Sequence, residues 1–110
     1  MKIAVSTDSG QVSAHFGRCS EYTIFEVEDN KVINKEIIPN PGHEPGFLPR
    51  YLSERGVSCI IAGGMGPRAQ QLFVQNNIKA VIGAYGDVDS VVEQYLQGTI
   101  ELGEDACEHH

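Results

Sequence analysis

Two short stretches of the chain carry residue types that can hold a charged inorganic ligand. In AHFGRCSEY, residues 14–22, His15, Arg18 and Cys19 fall within five positions, and Gly17 bends the backbone between them. Imidazole and thiolate are ligands for iron, copper, zinc and metal-sulfur clusters, and a guanidinium offsets negative charge on the same ligand. In SCIIAGGMGPR, residues 58–68, an apolar run breaks into Gly63, Gly64, Met65 and Gly66 before Pro67 and Arg68. Pro67 suits the first turn of a helix. The amides of Gly64, Met65 and Gly66 would then sit at the positive end of the helix dipole, where an anion is favoured. The plain alternative is a tight turn with no ligand, because a short glycine loop alone is a weak motif. A third group, Cys107, His109 and His110 in the closing DACEHH, offers further ligands for a borderline-soft metal, unless the histidines belong to an expression tag.

These residues need a scaffold that brings them together. Lys2 to Thr7 reads as a short buried strand, with Ile3, Ala4 and Val5 consecutive and apolar. Tyr22 to Glu28 and Lys31 to Ile38 form a hairpin across Asp29-Asn30, and Lys31 and Lys35 protect its outer strand from further pairing. Pro39 to Pro49 is a proline- and glycine-rich loop that leaves His43 in solvent. Helices are expected over Phe47–Arg55, closed by Gly56, from Pro67 to Gln75, ended by Asn76-Asn77, and over Val88–Leu96, capped by Asp87. The runs Val57–Ala62 and Lys79–Ile82 are the remaining strands, and Cys59 inside the first of them is core filling.

Strands alternating with helices in the second half require right-handed crossovers and parallel pairing. The expectation is an α/β fold with a five-stranded mixed sheet of order 3-2-1-4-5, strand two antiparallel, and three helices. One domain spans 1–103, followed by a Cys/His-bearing tail over 104–110. In that order three loops leave the carboxyl ends of neighbouring parallel strands: the His15 loop, the GGMG loop and the GAYG turn with Tyr85. They should line one crevice where the sheet changes its direction of growth.

Composition narrows the partners. With 41% hydrophobic and 21% charged residues over 110 positions, the chain reads as one soluble globular domain. A net charge of −7 argues against non-specific nucleic-acid binding. No apolar run approaches the roughly 20 residues of a membrane span, and three cysteines without disulfide spacing fit a reducing, cytoplasmic setting.

The combination of a short first strand, HFGR at His15 to Arg18 followed by Cys19, the hairpin, and IIAGGMGPRA at Ile60 to Ala69 resembles the dinitrogenase iron-molybdenum cofactor-binding, NifX-like family. The resemblance covers nearly the whole chain and implies a ribonuclease-H-like three-layer fold. It also implies a part in binding or carrying an iron-sulfur or iron-molybdenum type cluster between donor and acceptor proteins, with His15 as the first cluster contact and the glycine loop beside it. The leading expectation is therefore a binding protein without turnover. Its cluster site would comprise His15, Arg18, Cys19, Gly63, Gly64, Met65, Gly66 and Arg68, with metal ligands drawn from His15, Cys19, Cys107, His109 and His110. A regulatory module binding a phosphate-bearing small molecule at the GGMG loop is the alternative. A two-metal nuclease is a weaker one, because that chemistry needs clustered carboxylates and Asp8 and Asp87 are the available acids.

Overall fold

The computed structural model describes residues 1–40, 42, 47–98 and 100. Its elements in chain order are β1 (Lys2–Asp8), β2 (Gln11–Val12), β3 (Glu21–Glu28), β4 (Lys31–Pro39), α1 (Phe47–Glu54), β5 (Val57–Ile61), α2 (Pro67–Gln75), β6 (Lys79–Val81) and α3 (Val88–Gln97). The sheet runs β4-β3-β1-β5-β6, with β2 attached to β1 alone. Pairing of β1 with β5 and of β5 with β6 is parallel, while β3 is antiparallel to both of its neighbours. The expected strand order is present, but the sheet has six strands and not five. The additional one arises at Ser9-Gly10, where φ values of 51° and 79° make a two-residue hairpin turn that folds Gln11 and Val12 back onto Asp8 and Thr7.

Alternation along the strands divides the core in two. Ile3 and Val5 join Phe25, Val27, Cys59 and Ile61 beneath α3, which contributes Val88, Val91 and Val92. Ala4, Tyr22, Ile24 and Ile60 face the other way, against Leu48 and Leu52 of α1 and Phe73 of α2. Helices thus cover both faces of the sheet, the arrangement that parallel central strands require.

The local signals place these elements as expected. Gly56, at φ 87°, closes α1, and its N–H donates to the Ser53 carbonyl at 3.0 Å. Asp87 caps α3 by accepting from the Ser90 amide at 3.2 Å. The edge strand β4 is exposed from Lys31 to Ile37. Lys31, Lys35, a register shift between Val32 and Asn34 that leaves Ile33 unpaired in the β3–β4 register, and the closing Pro39 together make it a poor template for further pairing. Among the described residues no helix is long and apolar enough to cross a membrane.

Candidate functional site

Three loops meet at the carboxyl end of the parallel strands, and backbone hydrogen bonds join them. The Gly63 amide donates to the Ser13 carbonyl and the Phe16 amide to the Gly64 carbonyl, each at 2.9 Å. On the other side the Gly83 amide donates to the Gly63 carbonyl at 2.9 Å, and the Val12 amide to the Gly86 carbonyl at 2.8 Å. The HFGR and GGMG segments, far apart in sequence, are therefore in direct backbone contact.

That contact explains two of the glycines. A Cβ at Gly63 would lie 2.8 Å from the Ser13 carbonyl oxygen and 2.9 Å from the Ala14 Cα, and one at Gly64 would lie 2.8 Å from the Ala14 carbonyl oxygen. Both neighbours are backbone, so a side chain at either position would force the two loops apart. Gly66 has open space around its Cβ position and serves as the N-cap of α2, with Pro67 in the first turn.

The same bonds orient the amides. In a trans peptide the C=O and the following N–H point in opposite directions. The Gly63 carbonyl is turned toward Gly83, so the Gly64 N–H is directed to the side of the HFGR turn. The Gly64 carbonyl is turned toward Phe16, so the Met65 N–H is directed away from that turn. The amides of Gly64, Met65 and Gly66 thus do not converge as a set of three, and Gly64 is the member that faces His15's loop.

His15 is exposed at the start of the turn, and Arg18 at its end is exposed as well. The Arg18 amide closes the turn by donating to the His15 carbonyl at 3.3 Å, and Gly17 takes φ 92° to allow it. The His15 amide donates to the Ser13 hydroxyl at 3.2 Å. Phe16 anchors the turn from beneath, with its ring edge-on to Phe73 at 5.1 Å and 6.0 Å from Tyr22. Arg68 is exposed in the first turn of α2, and neither Arg18 nor Arg68 forms an ion pair among the described residues.

Cys19 does not join His15 at the surface. It is 3% exposed and belongs to the core cluster beneath α1 and α2. The Tyr22 hydroxyl, with the Cys19 thiol beside it, has no hydrogen bond of acceptable geometry among the described residues. Burial, followed by that thiol, raises the phenol's pKa well above its ordinary value. Cys59 is buried as expected, and its burial pushes the thiol pKa up. Tyr85 is 60% exposed in the GAYG turn. Cys107, His109, His110 and His43 lie outside the described residues. Among the described residues no group of three or more His, Cys, Asp or Glu side chains is arranged to hold a metal ion. A cleft of about 630 Å³ lies at the opposite end of the sheet, between the β3–β4 turn and the end of α3, remote from His15.

Two carboxamides that sequence reasoning passed over hold the site's backbone. Asn40, just after β4, donates from Nδ2 to the carbonyls of Gly17 at 3.1 Å and Cys19 at 2.9 Å. Gln70 of α2 donates from Nε2 to the Met65 carbonyl at 2.9 Å. No short-range signal marks Asn40, whose partners lie 21 and 23 positions away. Gln70 lies five residues after Met65, within reach of a helix's first turns.

Comparison with known proteins places this geometry in a family. The sequence model described as "Dinitrogenase iron-molybdenum cofactor" matches residues 1–98. The chain belongs to that family. It is 35% identical over 106 residues to uncharacterized protein MJ0580 of Methanocaldococcus jannaschii, spanning 92% of this chain and 90% of that one. The crystal structure of PH0822 superposes with a TM-score of 0.89 at 29% identity, covering 98% of this chain and 99% of the other. The apo form of the orange protein from Desulfovibrio gigas shares the fold, with a TM-score of 0.77 at 23% identity over 94% of this chain and 92% of that one. The family relates this chain to dinitrogenase cofactor handling.

Proposed function

We propose that this protein is a non-catalytic carrier for an anionic metal-sulfur cluster of the iron-sulfur or iron-molybdenum type, with the cluster as its cargo. The observation that carries the reading is the exposed His15, mounted on a turn whose backbone is bonded directly to the GGMG loop. His15 supplies the metal contact. The Gly64 amide and the guanidinium groups of Arg18 and Arg68, which form no ion pair among the described residues, offset the negative charge of the cluster's sulfur atoms. A ligand held at the open surface can pass to an acceptor without the fold opening, which suits transport between a donor and an acceptor protein. Asp8 and Asp87 are each occupied in holding local structure, Asp8 by accepting from the Ser20 amide and Asp87 by capping α3. This weighs against a nuclease reading. The mixed sheet covered by helices on both faces supports the carrier reading by bringing the His15 turn and the GGMG loop to one end of the parallel strands.

Cys19, buried in the core cluster against which Phe16 packs, is a core residue in this proposal and not a first ligand. Anaerobic reconstitution with iron, sulfide and molybdate, followed by ultraviolet-visible spectroscopy, tests the assignment. His15→Ala is expected to lower cluster retention at least tenfold, while Cys19→Ala retains it. Equal retention by the His15 variant and the parent would reject the carrier site. Displacement of the cluster by millimolar phosphate would favour the phosphate-binding alternative.

A further inference from the structure

We propose that Asn40 is the positioning residue of the cargo site, fixing the turn that presents His15; the inference rests on the carrier reading. The Asn40 side chain uses both of its N–H donors and its carbonyl oxygen within the described residues. Nδ2 donates to the carbonyls of Gly17 and Cys19 at 3.1 and 2.9 Å, and Oδ1 accepts from the Gly42 amide at 3.0 Å. Two carbonyl partners on one side and an N–H on the other leave no choice in how the carboxamide is oriented. Its own backbone amide donates to the Ser20 carbonyl at 3.1 Å, extending the β3–β4 pairing by one step and fixing the side chain's origin.

The peptide that joins Gly17 to Arg18 transmits the effect. Its carbonyl is held by Asn40 Nδ2, and its N–H, on the opposite side of the same plane, donates to the His15 carbonyl at 3.3 Å. Because the plane is rigid, the Asn40 bond sets where the Arg18 N–H points, and that N–H, with the Ser13 hydroxyl that bonds the same residue, fixes the backbone from which the imidazole projects. Gly17 stands at φ 92° with nothing within 4 Å of its Cβ position, so no side chain of its own braces this peptide. Sequence-distant clamping of a flexible glycine turn is the device by which a site on a loop acquires a fixed geometry.

Two variants separate positioning from space filling. Asn40→Asp keeps the size and the acceptor for Gly42 but sets carboxylate oxygens against two carbonyls. Asn40→Ala removes the clamp without adding charge. If Asn40 positions His15, both variants lower affinity for tetrathiomolybdate, an anionic metal-sulfur probe, by at least tenfold. In the absence of probe, both also shift and narrow the His15 ring resonances in NMR spectra, and Asn40→Asp is no milder than Asn40→Ala. If Asn40 only fills space, Asn40→Asp leaves the His15 resonances in place, which overturns the proposal. Affinity that falls in both variants with unchanged His15 resonances overturns it as well. The carrier reading is judged separately by His15→Ala in the same titration. Parent-like probe binding by that variant rejects the carrier reading, while the resonances measured without probe still decide whether Asn40 holds the turn.

Discussion

At the level of single residues, the site depends on groups that hold backbone atoms more than on groups that face a ligand. Ser13 has one hydroxyl proton. The His15 amide donates to its oxygen, and that proton is within reach of both the His15 carbonyl, at 3.2 Å, and the Asp8 carboxylate. The Ser13 hydroxyl first, and the Ser20 amide at 2.8 Å next, hold the Asp8 carboxyl below its ordinary value of 3.8. A carboxyl whose pKa falls on folding adds stability that is complete above the ordinary value and is lost as pH drops through the lowered one. Asp8→Asn is therefore expected to be less stable than the parent at neutral pH, with the difference closing as pH falls below about 4. Urea denaturation of both proteins across that range checks this, and a constant difference would remove Asp8 from the account. Two fully buried hydroxyls, those of Ser6 and Tyr22, have no hydrogen-bond partner among the described residues, in the same region of the sheet. A cost of this kind is common near functional sites and rare elsewhere.

Among the elements, the glycine loop divides into positions with different physical tasks. Gly63 and Gly64 permit loop-to-loop contact, whereas Gly66 only starts α2. Gly64→Ala should cost about 1–3 kcal/mol, because the clash is with backbone that cannot turn aside. Gly66→Ser should gain roughly a few tenths of a kcal/mol by supplying the missing cap. Denaturant midpoints measure both, and equal costs would contradict the division. The strands and helices themselves were legible in the sequence because their signals are local: consecutive apolar residues in β1 and β5, Asp87 before α3, and Gly56 after α1. The strand order followed from the β-α alternation and the rule for right-handed crossovers. The two-residue β2 was not legible, since Gln11 and Val12 have neither length nor alternation and depend on the Ser9-Gly10 turn. The pairing of HFGR with GGMG could be expected from topology. The burial of Cys19 could not, because its side-chain direction is set by how the turn sits on Phe73 and Tyr22. Nor could the opposed amides of Gly64 and Met65, which follow from bonds to Phe16 and Gly83 made only in three dimensions.

For the whole molecule, the proposed cargo and the protein carry charge of the same sign. The chain's formal charge is −7, and residues 101–110 contain four carboxylates and no lysine or arginine. Screening decides how far that charge is felt. The Debye length is about 30 Å at 0.01 M ionic strength and about 8 Å at 0.15 M, while the protein measures 32 Å along its longest axis. At low salt, then, an approaching anion experiences the charge of the entire chain, and at physiological salt it meets mainly the local field of Arg18 and Arg68. Deleting residues 101–110 removes four negative charges and keeps every described residue, Ile100 against the α3 cluster included. The deletion should speed association of tetrathiomolybdate at 0.01 M, by less than tenfold, and have no effect at 0.15 M. Stopped-flow absorbance at the two salt concentrations measures this. If the tail instead supplies metal ligands through Cys107, His109 and His110, the deletion weakens affinity at both concentrations through faster release. The direction of the change and its salt dependence therefore show whether the tail acts through charge or through coordination.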